Sequence, residues 1–168
     1  MLQLPVIPVS SDPIPLPKLT AIKLDEEGIG WFRKSDNAEK VLNFLSRITT
    51  LKVLELFVTA PIPNGWERLL RSCRLTHLSV YCCGGLDLPV DPSCYADMEE
   101  FFLRNFVLKP DLANALAQAK KLSVFVLDVY NREFSSCKKV ISSLRHEYAT
   151  YDYVPPYVRM YILRRNIN

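Results

Sequence analysis

A chain of 168 residues, 49% of them apolar and 23% charged, is long enough for one domain that removes roughly 70% of its unfolded surface from water. No apolar run approaches the roughly 18 residues that cross a bilayer, and the start, Met1-Leu2-Gln3-Leu4-Pro5, lacks the basic and apolar regions of a signal peptide. A cytoplasmic or nuclear protein outside the membrane is therefore expected, its five cysteines reduced, with a net charge of +3 that is too small to name a partner.

Residues 1–16 carry prolines at 5, 8, 13 and 15 and no strand or helix period, so they are expected as an extended N-terminal tail. Residues 17–168 are expected as one unit, because a single pattern recurs along them. Leu19-x-x-Ile22-x-Leu24 opens it as a strand, and Asp25 to Ser35, with Gly28 and Gly30, reads as a loop. Val41, Phe44, Leu45 and Ile48 then fall at i, i+3, i+4 and i+7, the apolar stripe of a helix over 36–48. The strand Leu51-x-x-Leu54-x-Leu56 follows. Pro61-Ile62-Pro63-Asn64-Gly65 turns the chain into a helix over 65–73, marked by Trp66, Leu69, Leu70 and Cys73. Asp36-x-x-Glu39 and Asn64-x-x-Glu67 have the spacing of capping boxes.

The third strand, Leu75-x-x-Leu78-x-Val80, runs into Cys82-Cys83-Gly84-Gly85. From Gly84 to Asp97 the glycines, Pro89 and Pro92 exclude a continuous helix, so this copy crosses back by a loop or one short turn to Met98-x-x-Phe101-x-Leu103. Pro110 suits the first turn of a helix over 110–120, with Leu112, Ala115, Leu116 and Ala119 on one face. Leu122-x-x-Phe125-x-Leu127 is the fifth strand, and Cys137, Val140, Ile141 and Leu144 mark a helix over 135–148. Tyr151 to Pro156 reads as a connection to a degenerate sixth copy, Tyr157-x-x-Met160-x-Ile162, with Pro155-Pro156 before the strand or at its edge.

The copies begin 32, 24, 23, 24 and 35 residues apart. The three inner spacings lie inside the window of leucine-rich repeats, and the outer two are longer, as terminal repeats are. Strands alternating with helices imply parallel neighbours, since each parallel pair needs a crossover and the helix supplies it. The expected fold is α/β: a short leucine-rich-repeat-like solenoid of five or six strands, with a curved parallel sheet on one face and helices on the other.

The run Pro17-Lys18-Leu19-Thr20-Ala21-Ile22-Lys23-Leu24, and the block from Pro110 to Ala119-Lys120-Lys121-Leu122-Ser123-Val124-Phe125-Val126-Leu127, resemble the degenerate leucine-rich repeats of fungal F-box-like proteins. The resemblance covers roughly residues 17–163 and its motifs are generic to leucine-rich repeats. It implies repeats that hold a substrate, in a family whose N-terminal F-box docks the adaptor subunit of a ubiquitin ligase. Leu4-Pro5-Val6-Ile7 is similar to the way an F-box opens, but prolines rather than helices follow, so no recognisable F-box is read here.

Catalytic chemistry has few residues to work with. Of two histidines, His77 falls at the third position of its strand motif and His146 near the end of the last expected helix; His77 with Cys82 or Cys83 is the one pairing that would make an enzyme site. A zinc site would have to add Cys94 to these, without any Cys-x-x-Cys spacing, while Cys73 and Cys137 belong to apolar helix stripes. Gly28-Ile29-Gly30 lacks the third glycine of a dinucleotide fingerprint, and no Walker lysine follows a glycine run. No cofactor and no metal are expected, and the chain reads as non-enzymatic.

The sheet face turned away from the helices is the stronger candidate. In the repeat, the third, fifth and seventh positions point there, because side chains alternate across a strand. The fifth position gives Lys23, Glu55, Ser79, Phe102, Val126 and Tyr161; the seventh gives Asp25, Phe57, Tyr81, Arg104, Asp128 and Leu163. Phe57, Tyr81, Phe102 and Arg104, flanked by Glu55 and Tyr161, are the expected partner-binding residues, since aromatics and arginine anchor interfaces. The expected function is a protein-interaction module whose partner is a protein. Nucleic acid is the alternative partner, through Arg159, Arg164 and Arg165, because seven basic residues face three acidic ones from Arg132 onward. Uncapped solenoid ends would expose apolar surface and favour self-association.

Overall fold

The computed structural model describes residues 19–24, 35–58, 64–82, 86–142 and 147–164. The expected tail at 1–16, the loop with Gly28 and Gly30, and the pair Gly84-Gly85 lie outside them. Along the chain run β1 (Ala21–Leu24), α1 (Ser35–Leu45), β2 (Val53–Val58), α2 (Trp66–Cys73), β3 (His77–Cys82), a 3-10 turn (Pro92–Tyr95), β4 (Glu100–Arg104), α3 (Pro110–Gln118), β5 (Val124–Tyr130), α4 (Phe134–Ser142), β6 (Glu147–Val154) and β7 (Tyr157–Arg164). The architecture is α/β, with a mostly parallel sheet. Among the described residues its seven strands lie in the order β1-β2-β3-β4-β5-β7-β6.

The repeat seen in the sequence is also a repeat of hydrogen bonds. β1 to β5 are parallel neighbours, and equivalent motif positions stand side by side: Ile22, Leu54, Leu78, Phe101 and Phe125 form one row and Leu24, Leu56, Val80, Leu103 and Leu127 the next. At the second motif position one carbonyl accepts two N–H groups from the following strand's entry. Thr20 O takes Lys52 and Val53, Lys52 O takes Thr76 and His77, Thr76 O takes Glu99 and Glu100, and Glu99 O takes Ser123 and Val124. Four successive junctions therefore satisfy their backbone groups in the same way, which keeps the rows in register.

The two rows form the floor of the core. Leu54, Leu78, Phe101, Phe125 and their neighbours are buried against the stripes the sequence marked: Val41, Leu45 and Ile48; Trp66, Leu69, Leu70 and Cys73; Leu112, Ala115, Leu116 and Ala119. The helical layer is contiguous, α1 touching α2, α2 the 3-10 turn, the turn α3, and α3 α4. In the third repeat, where no continuous helix is expected and a 3-10 turn is found, Tyr95 fills the place of a helix as a plug. The ring is buried, its hydroxyl donates to Pro89 O at 2.8 Å, and it stacks on Phe101 with centroids 5.9 Å apart. Among the described residues no helix is long and apolar enough to cross a membrane.

Three expectations need correction. The helix expected over 135–148 ends at Ser142, and 147–154, expected as helix end and connection, is the strand β6. Its Tyr, Thr and Val content favours a pleated partner over a helix. The sixth copy does not continue the parallel series: β7 runs antiparallel to both β5 and β6. Pro155-Pro156 lies in the short turn between β6 and β7, where a missing N–H breaks no ladder. Finally, Asn64 does not cap α2. The N-cap is Gly65, at φ +93 and with no side-chain cap bond.

Candidate functional site: the open face of the sheet

Residues alternating with the core rows form the second face of the sheet, and among the described residues no element packs on it. Its side chains are half-buried by their own neighbours: the β2 burial pattern alternates strictly, with Leu54, Leu56 and Val58 buried and Val53, Glu55 and Phe57 partly exposed. Strand register brings the expected partner-binding residues together. Glu55, Ser79, Phe102, Val126 and Tyr161 lie in one row, and Phe57, Tyr81, Arg104 and Asp128 in the next. The side chain of Tyr161 is outside the described residues, as is Asp25.

The second row is a ladder of rings and guanidinium groups. Phe57 and Tyr81 stack nearly parallel, with centroids 4.3 Å apart. The Arg104 guanidinium sits 4.8 Å from the Tyr81 ring on one side and 4.8 Å from the Tyr157 ring on the other. Tyr157 in turn meets Tyr130 at 4.7 Å, the two hydroxyls lying 3.3 Å apart, and Arg132 lies 5.5 Å from the Tyr130 ring. A cation between two rings gains from both ring quadrupoles. The ladder therefore orders itself across five strands without help from the helices.

Under this ladder is one buried carboxylate. Asp128 accepts from Arg159 Nε at 2.7 Å and from Arg159 Nη2 at 2.9 Å, while Arg104 Nε stands 3.9 Å from its Oδ2, too far for a hydrogen bond. Arg159 also lies 5.7 Å from the Phe102 ring. Sequence reasoning missed Tyr130, Tyr157 and Arg159 as members of this site. It aligned the sixth copy parallel, which set Leu163 beside Asp128; the antiparallel pairing puts Arg159 there and Leu163 beside Val124. The hint available in the sequence was Pro155-Pro156, a pair suited to a tight turn, between the Tyr-rich stretch 147–154 and the apolar alternation that begins at Tyr157.

Toward the other end of the strands the face is shallower and of opposite charge. A depression of about 250 Å³ is lined by Val53, Glu55, His77, Glu100, Phe102 and Val126, among others. Glu55 pairs with Lys23 at 3.0 Å, and His77 Nε2 is 3.6 Å from Glu100 while its Nδ1 meets the Thr76 hydroxyl at 2.8 Å. His77 and Cys82 begin and end the same strand, so their backbones are roughly 16 Å apart and β3 itself brings no thiol to the imidazole. Cys83 is outside the described residues. Cys73, Cys94 and Cys137 are buried, and burial pushes each thiol upward, Cys73 to about 11, which keeps them protonated and unreactive near neutrality.

The basic C-terminal region proposed for nucleic acid is divided in its use. Arg159 is committed to Asp128, Arg165 lies outside the described residues, and Arg164 closes β7. What the face does offer is a fixed guanidinium, a set of ordered rings and a depression lined by both apolar and acidic side chains. Neither a family model nor a curated protein matches this chain.

Proposed function

We propose that the chain is a leucine-rich-repeat-like solenoid and works as a non-enzymatic protein-interaction module through the open face of its sheet. The observation that carries this reading is the row Phe57, Tyr81, Arg104 and Tyr157: large, ordered, partly exposed side chains with no element of the described fold upon them. Aromatic and arginine side chains held rigid in the free protein lose little entropy on binding, so they anchor partners efficiently. The substrate-holding part of an F-box-type ubiquitin-ligase adaptor, acting in the cytoplasm or nucleus, is the narrower form of the proposal, supported by the resemblance of the repeats alone.

Affinity capture from a cell lysate tests it, with the wild type and a Phe57→Glu/Phe102→Glu double mutant matched for folding by circular dichroism. A protein held by the wild type and lost by the mutant is the expected result. A ubiquitin-ligase adaptor subunit among the captured proteins would support the narrower form. Equal capture by both proteins would move the interface off the open face.

A further inference from the structure

The partner's chemistry can be read from how Arg104 is held; this inference rests on the open-face reading above. Arg104 has rings on two sides and a side chain about 36% exposed, so its position is fixed while part of it still reaches solvent. Its Nε is cut off from water and, among the described residues, no acceptor engages it. Each Asp128 oxygen already accepts a bond from Arg159, and Arg104 Nε reaches that carboxylate only as a 3.9 Å ion pair. Two guanidinium groups thus share one carboxylate, and Arg104 is the cation in excess. A guanidinium presents five donors in a planar fork that matches a carboxylate, and here the fork is ordered before any anion arrives.

The same strand supplies a direction. The exposed and partly exposed positions of β4 read Glu100, Phe102, Arg104: negative, apolar, positive, at steps of roughly 6.6–7 Å. The depression of about 250 Å³ lies around Phe102 and Val126. An extended peptide has the same two-residue repeat on one side, so its alternate residues can meet these three positions in turn.

We propose that the open face binds an extended segment of a partner protein through one acidic anchor residue. An Asp or Glu carboxylate of that segment meets the Arg104 guanidinium. The side chain two residues away is apolar and fills the depression over Phe102, and a basic residue two further on faces Glu100.

The test pans a random-peptide display library against the full chain and measures the enriched peptides by fluorescence anisotropy. Circular dichroism and urea unfolding accompany every variant. The expected consensus holds Asp or Glu two positions from a bulky apolar residue. Arg104→Gln, and exchange of the peptide's acid for its amide, each weaken binding about tenfold or more, and the two losses do not add because they report one pair. Arg104→Lys, which keeps the charge and loses the fork, falls between.

A consensus without an acid, abolished by Phe102→Glu and indifferent to Arg104→Gln, overturns the acidic anchor and leaves the open-face reading standing. Enriched peptides indifferent to both variants overturn the two together. Absence of any enriched peptide overturns the anchored segment, and the lysate capture then decides the face by itself. Tighter binding of a phosphoserine version of the enriched peptide reassigns Arg104 to phosphate. Sedimentation that shows self-association lost in Arg104→Gln makes a second copy of this chain the occupant instead.

Discussion

Arg159 grips Asp128 with two hydrogen bonds, at 2.7 and 2.9 Å, from a strand that runs opposite to the one carrying the carboxylate. The pair joins β7 to the repeat sheet at the row where the aromatic ladder crosses from β4 to β7. It fixes the floor on which Arg104 and Tyr157 stand, and it adds a side-chain tie to the backbone ladder between β5 and β7.

Breaking one side of this pair costs more than removing it whole. Arg159→Met leaves the Asp128 carboxylate, 3% exposed, with only the distant Arg104 among the described residues, and should lower stability by about 3 kcal/mol. The double variant Asp128→Leu/Arg159→Met removes the buried charge as well and should cost much less. Urea unfolding of both, at unchanged m-value, checks the expectation; equal losses would mean that the pair is solvated in solution.

The turn into α2 depends on a glycine. Gly65 stands at φ +93, and a Cβ there would come within 3.3 Å of Leu42 Cβ, which is buried backing for α1. Gly65→Ala should destabilise by about 1–2 kcal/mol from the left-handed backbone alone. Asn105, also left-handed at φ 59, is the control: Asn105→Gly should be nearly neutral, relief of strain offsetting added chain entropy. Thermal unfolding of the two variants gives the comparison, and a neutral Gly65→Ala would contradict the geometry.

Alkaline conditions should destabilise the fold. Burial pushes the Cys73 thiol from its ordinary 9.0 to about 11, and raises those of Cys94 and Cys137 in the same direction. In the unfolded chain these groups lose their protons first, so the unfolded state binds fewer protons and stability falls as pH rises from about 9 toward 11. Stability measured against pH should show that decline, flatter in Cys73→Ala. The native thiols of Cys73, Cys94 and Cys137 should also stay unmodified by a thiol reagent at neutral pH until urea opens the core.

The plug in the helix-less repeat makes a measurable polar contact. Tyr95 is fully buried and its hydroxyl donates to Pro89 O at 2.8 Å. Tyr95→Phe keeps the ring against Phe101 and should cost about 1 kcal/mol, whereas Tyr95→Ala should cost about 3–5 kcal/mol through the cavity it leaves. Similar losses for both would place the stabilisation in the hydrogen bond and not in the ring.

Trp66 shows how far one helix stripe carried. Its spacing with Leu69, Leu70 and Cys73 placed it in the core, where it is buried, but nothing in that spacing indicated that its Nε1 would find no partner among the described residues. Asn64 shows the opposite failure. A capping-box spacing was present, yet the chain entered α2 one residue later on Gly65, because positive φ lets the backbone turn there without a side-chain cap.

By itself the sequence determined which residues face the helices, which face away, and that strands one to five lie side by side in order. Those features follow from local periods of two and of about 3.6, which each segment carries whatever its neighbours do. It also excluded a helix between Gly84 and Asp97, since glycine and proline act on their own backbone. Tertiary structure alone decided the direction of the last strand. Alternation reads the same from either end, so Tyr157 to Leu163 fit a parallel copy as well as an antiparallel one. Only the pairing of β7 with β6 and β5 reversed it, and that reversal moved Arg159 from the Val124 row to the Asp128 row and brought Tyr157 against Arg104. The side chains of the face were legible; the contacts that hold Arg104 ready depend on which way the chain came back.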